Sequence, residues 1–169
     1  ETIPLIHRIY TNGFLFKEKP GDRKLLIEKA VSYNIDVSLF KSIKKGKDVT
    51  SESGELIPNH LVTADPEPTK SYAYCSDTAF NQKMIPQISG ATVLYHESTF
   101  LEDKAQLAFP TKHSTAKEAA LIAKEAGVKQ LILGHYSTRY ANINLFREEA
   151  ATIFPEVDLA DDGKVFIFE

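Results

Sequence analysis

The chain is short of cysteine, of long apolar runs and of net charge, and each shortage removes a class of protein. Cys75 is its only cysteine, so no internal disulfide can form and a reducing, cytoplasmic setting is expected over a secretory one. No apolar run approaches the roughly 20 residues that a membrane helix needs, and no charged-then-apolar leader opens the sequence, so neither a span nor a signal peptide is expected. A net charge of only −3 argues against nucleic-acid binding over the whole surface, but leaves room for a local basic patch. Repeats and low-complexity tracts are also missing. The one methionine is Met84, and Ile3-Pro4-Leu5-Ile6 reads as a strand entered at once, so a piece of a longer protein is expected.

What is present is enough for one cored domain: 169 residues, 43% of them hydrophobic. Three apolar stretches each stop on an ionisable residue. Tyr72-Ala73-Tyr74-Cys75-Ser76 meets Asp77, Val93-Leu94-Tyr95 meets His96-Glu97, and Leu131-Ile132-Leu133-Gly134 meets His135. In open α/β sheets, chemistry sits outside the carboxyl ends of the strands, so these three ends mark an expected active-site rim. Short strands are expected at Ile3–Ile6 and Gly13–Phe16 and a final one at Lys164–Phe168. From Ser71 onward strands and helices alternate, which points to a layered α/β arrangement. Thr115-Ala116-Lys117-Glu118 is a capping box opening an amphipathic helix to Gly127, and Asn144 to Phe154 reads as a further helix ended by Pro155. Residues 17–70 differ in texture: polar and lysine-rich, with helices expected at Leu25–Val31 and Val37–Lys44, a hairpin turn at Ser51-Glu52-Ser53-Gly54, and prolines 58, 66 and 68 marking irregular chain. This stretch reads as an inserted arm.

Each candidate site residue has a plain structural reading beside the chemical one. Asp77 suits a helix N-cap as well as a metal ligand. His135 precedes Ser137 and Arg139, a pairing that suits a phosphate-bearing substrate, although a histidine at a strand end is often structural. His113 lies just ahead of the capped helix, whose dipole would lower its pKa while a neighbouring carboxylate such as Glu97 would raise it; a solvated loop histidine is the other reading. The same choice applies to His96-Glu97. His60 is expected on the surface and Cys75 in the core. The lysine excess of the arm, densest in Ser42-Ile43-Lys44-Lys45-Gly46-Lys47, fits either a solvated face or contacts to a phosphate backbone.

In order, Leu5-Ile6-His7, Asn12-Gly13-Phe14, Tyr74-Cys75-Ser76-Asp77-Thr78, His96-Glu97-Ser98-Thr99-Phe100, His113-Ser114-Thr115 and Leu131 to Tyr140 resemble the C-terminal half of the ribonuclease Z family, the tRNA 3′-processing endonucleases of the metallo-β-lactamase superfamily. The resemblance implies the C-terminal half of an αββα sandwich with an inserted arm over residues 17–70, belonging to one domain across 1–169. It further implies a zinc-dependent endoribonuclease that removes the 3′ trailer of precursor tRNA, with two zinc ions in the full-length enzyme. His7, Asp77 and His135 would be metal ligands, Glu97 and His113 the catalytic proton relay, and Ser137, Arg139, Lys44, Lys45 and Lys47 substrate contacts.

The family's His-x-His-x-Asp-His motif is absent, so the metal site is expected to be incomplete and this chain inactive alone, with the missing N-terminal half as partner and self-association into a homodimer. The arm has Asn34-Ile35-Asp36-Val37-Ser38 where many members carry a Gly-Pro turn, and Ser98 stands where alanine is usual. The rival expectations are a zinc phosphodiesterase or sulfatase acting on small substrates, and an RNA-binding module without activity.

Overall fold

A computed structural model describes residues 1–168, which fall into two compact units, residues 1–17 with 70–168 and residues 18–69. The first unit opens with β1 (Thr2–Pro4) and β2 (Asn12–Lys17), an antiparallel pair. Within the second unit come β3 (Lys24–Leu25), α1 (Ile27–Ser32), α2 (Phe40–Lys44), β4 (Val49–Thr50), β5 (Leu56–Ile57), α3 (Asn59–Val62) and β6 (Thr63–Ala64). Its ladders, β3 with β6 and β4 with β5, are antiparallel. A small core of Ala30, Ile35, Ile43, Val49, Ile57 and Val62 holds it. Asn59 is buried and donates to the carbonyls of Ile43 and Lys47 at 2.7 and 2.9 Å, so polar bonds tie the α2 end to α3 beside that core.

The first unit continues with β7 (Ser71–Cys75), α4 (Ile85–Ile88), β8 (Val93–Glu97), α5 (Ala105–Thr111), α6 (Ala116–Ala126), β9 (Gln130–Gly134), α7 (Asn144–Ala151) and β10 (Val157–Leu159). Six strands form one sheet in the order β1-β2-β7-β8-β9-β10, and β7 to β10 run parallel. Helices α4, α6 and α7 cover one face, with α6 on β8 and β9. The alanines of α6 let it lie close on Leu94, Leu131 and Leu133. Its capping box forms as expected: Glu118 N–H donates to Thr115 Oγ1 at 3.1 Å and Thr115 N–H to Glu118 Oε2 at 2.9 Å.

The opposite face carries aromatic rings in contact: Phe14 with Phe16 along β2, and, across strands, Phe16 with Tyr72 and Tyr74 stacked on Tyr95 at 4.8 Å. Phe14, Phe16 and Tyr74 are 45%, 59% and 38% exposed. Alternation along β2 and β7 therefore supplies two apolar faces, and only one is covered by helices.

The strand expected over Lys164–Phe168 does not form. Edge pairing with β9 is taken by Val157–Leu159, and Phe168 instead stacks on Tyr72. The helix at Asn144 stops at Ala151, short of Phe154.

Candidate active site

Parallel register brings the ends of β7, β8 and β9 level, with Cys75 opposite His96 and Glu97 opposite Gly134. The residues just beyond these ends lie together: Asp77, Glu97, His113 and His135 each offer a ligand atom, all within 4.8 Å of one another. Asp77 and His135 both have positive φ, 59° and 60°. Left-handed backbone at non-glycine residues is strained and persists where the surroundings over-determine it, which happens at functional sites. Glycine suits the position just before His135, because a Cβ on Gly134 would overlap the ring and hydroxyl of Tyr95.

Glu97 is the centre of the cluster and has no exposure. Its Oε1 accepts from Thr78 N–H at 2.6 Å and bonds His113 Nδ1 at 2.8 Å. Its Oε2 accepts from the Thr99 hydroxyl at 2.6 Å, Ser114 N–H at 3.1 Å and Thr99 N–H at 3.3 Å. Burial alone would raise its pKa, but the bonds from His113 and Thr99, the His113 charge and the Ser114 N–H outweigh it and hold the carboxyl below its ordinary range. In return, the bond to Glu97 raises the pKa of His113 against its burial, with Glu97 and Asp77 adding their charge and Arg8 opposing. The solvated-loop reading of His113 is thus corrected: its side chain is only 13% exposed. His96 and Glu97 are the last residues of β8, not a loop, and burial holds His96 neutral.

Three imidazoles stand in a row, His7 with His113 at 5.0 Å and His113 with His135 at 5.2 Å between ring centroids. His7 Nδ1 is 3.1 Å from the Lys112 carbonyl, to which it must donate, and this frees Nε2. His135 Nδ1 meets the Thr99 hydroxyl at 2.9 Å, while Nε2 lies 3.1 Å from Asp77 Oδ1. A carboxylate and imidazole nitrogens facing one another, half-exposed, are a donor set that suits zinc. Asp77 is not an N-cap, since the turn that follows is capped by the Asn81 side chain. Ser137 is tied to the site by its N–H bond to the Thr99 carbonyl at 3.0 Å, and Arg139 is exposed beside it. Lys44, Lys45 and Lys47 lie in the other unit, where Lys44 lines a groove of about 740 Å³ with Arg23, Lys24, Phe40 and Lys41. Sequence reading gave no role to Thr78, Thr99 and Ser114, which bond Glu97 alongside His113; each lies within two residues of a residue singled out, which was the available signal.

No protein-family model matches the chain. It is 45% identical over 162 residues to ribonuclease Z of Parabacteroides distasonis, covering 96% of this chain and 53% of that protein. Over nearly its whole length the chain is thus homologous to part of ribonuclease Z. It spans about half the length of the curated relatives it matches. Among solved structures it resembles a metallo-beta-lactamase fold protein from Bacillus subtilis (TM-score 0.61, 22% identity, 98% of this chain and 47% of that one) and the short form of human tRNase Z (0.54, 20%, 99% and 42%). The fold is accordingly that of a metallo-β-lactamase.

The Glu97–His113 pair makes stability depend on pH in a defined window. His113, raised in the folded chain, contributes fully below its ordinary 6.5 and loses this as pH rises through the raised value. Glu97, lowered, contributes above its ordinary 4.5 and loses this as pH falls through the lowered value. Urea unfolding of the metal-free chain and of His113→Gln should therefore differ most between pH 4.5 and 6.5; a difference independent of pH would contradict the pairing.

Proposed function

We propose that this chain carries the proton relay and part of the metal site of a zinc-dependent endoribonuclease that removes the 3′ trailer of precursor tRNA. The observation that carries this reading is a buried Glu97 bonded to His113 beside Asp77 and His135. His7, with Nδ1 engaged and Nε2 free, His135, with Nδ1 engaged and Nε2 turned to Asp77, and the Asp77 carboxylate would be the zinc donors. Bound zinc supplies a water of lowered pKa and Lewis acidity toward a phosphodiester. Glu97 fixes the ring of His113 and favours its protonated form, and His113 holds at Nε2 the proton that the departing 3′ oxygen needs. Ser137 and Arg139 would steer phosphate oxygens, and Lys44, Lys45 and Lys47 would hold the body of the substrate.

Three donors are too few for two zinc sites if Asp77 bridges them, since catalytic zinc takes about three protein ligands each. The remaining ligands would come from sequence outside this chain, consistent with its spanning about half of its relatives. The same half would cover the aromatic sheet face bearing Phe14, Phe16 and Tyr74; without it, copies of this chain should pair through that face and be inactive. No helix among the described residues is long and apolar enough to cross a membrane, and we place the enzyme in the cytoplasm.

In the complete enzyme, His113→Ala should slow cleavage by about 10²–10⁴-fold with zinc content and tRNA affinity nearly unchanged. Asp77→Ala should lose zinc. Zinc loss in the His113 variant, or full zinc and turnover in the Asp77 variant, would reverse the two roles.

Replacing Lys41, Lys44, Lys45 and Lys47 with alanine should weaken precursor tRNA binding and flatten its salt dependence while sparing a small phosphodiester substrate. Equal losses on both substrates would make these lysines part of the fold, and no loss on either would make them a solvated face. A small-molecule phosphodiesterase would be indicated by efficient cleavage of the small ester with none of precursor tRNA.

A further inference from the structure

Thr99, two residues beyond Glu97 and 8% exposed, has its hydroxyl between two groups of the site. The oxygen lies 2.6 Å from Glu97 Oε2 and 2.9 Å from His135 Nδ1. A threonine hydroxyl has one proton to donate. Glu97 Oε2 already accepts from the Thr99 and Ser114 N–H groups, so that proton goes to the carboxylate. The ring nitrogen of His135 must then donate to the same oxygen. We propose that Thr99 is a positioning residue: its hydroxyl holds His135 with Nδ1 protonated and so reserves Nε2, on the Asp77 side, as the ligand atom.

The backbone supports this role. Thr99 N–H bonds Glu97 Oε2, and the Thr99 carbonyl accepts from Ser137 N–H at 3.0 Å, so the threonine is fastened both to the relay carboxylate and to the loop that follows His135. One hydroxyl thereby connects the Glu97–His113 pair to His135, and a change of ring orientation at either end is felt at the other. The opposing preference is visible too. Asp77 Oδ1, 3.1 Å from Nε2, would in the absence of a cation draw the proton to that nitrogen, and Thr99 is the group that works against it. Hydrogen bonds of this kind to a ligating imidazole typically alter metal affinity by about 10–100-fold.

The part of the proposal that concerns zinc rests on the reading of His135 as a ligand; the tautomer does not. Nitrogen-15 NMR of the histidine rings, recorded on the metal-free chain at a pH where His135 is neutral, reads it directly. The original chain and Thr99→Ser should show His135 protonated at Nδ1, and the near-isosteric Thr99→Val should show it protonated at Nε2. An Nε2-protonated ring in the original chain, or an unchanged tautomer in Thr99→Val, would overturn the proposal. Zinc titration of the complete enzyme should find binding weakened about 10–100-fold by Thr99→Val and restored by Thr99→Ser. A tautomer change with no change in zinc binding would uphold Thr99 as the positioning residue and remove His135 from the zinc ligands.

Discussion

A single buried carboxylate organises the active end of this molecule. Glu97 is withdrawn from water, which is costly for a charge unless it is fully bonded, and it accepts from Thr78, Thr99, Ser114 and His113. Those donors belong to three separate connections, after β7, after β8 and ahead of α6. Thr78 also accepts from Ile6 N–H through its hydroxyl, which brings in the loop carrying His7. Bonds to a charged group are worth about 1.5–3 kcal/mol each, and stripping the partner from a buried charge costs about 3–5 kcal/mol. Loop positions that would otherwise wander are thus held by one charge, and the rows of strand residues below serve to deliver them to it.

The consequence for chemistry is a division of labour between two layers of the same cluster. Asp77 and His135 are half-exposed and face each other, whereas Glu97 and His113 lie beneath, bonded to each other and to backbone. All four could touch a cation by distance alone. The hydrogen bonds separate them: every lone-pair direction of Glu97 used here is already spent on protein donors, while Asp77 offers its carboxylate outward. In the proposed reading, that difference, rather than residue type, gives ligation to one pair and proton transfer to the other.

Much of this was legible in the sequence, for physical reasons that vary by element. Strand ends at Asp77, Glu97 and His135 could be read because parallel buried strands are continuous apolar runs, and a run that stops on a charge marks where the sheet meets water. The capped start of α6 is written in its own four residues. Local signals failed where a choice depended on a distant partner. Val165-Phe166-Ile167-Phe168 has strand composition, yet the edge it would join is held by Val157–Leu159. Asp77 has the chemistry of an N-cap, but its left-handed backbone turns the chain and Asn81 caps the next turn instead. For His113 the sequence left a choice between a histidine tuned by Glu97 and a solvated loop histidine, because the contact spans sixteen residues and only the fold closes it. Aromatics at Phe14, Phe16, Tyr72 and Tyr74 alternate with buried residues, and that alternation makes a second apolar face.

The most direct test of the division between ligands and relay is an anomalous difference map at the zinc edge from crystals of the protein grown with zinc. The account predicts density against Asp77 Oδ and His135 Nε2, with Glu97 still bonded to His113, Thr78, Thr99 and Ser114. Zinc coordinated by Glu97, or by His113 in place of His135, would contradict it.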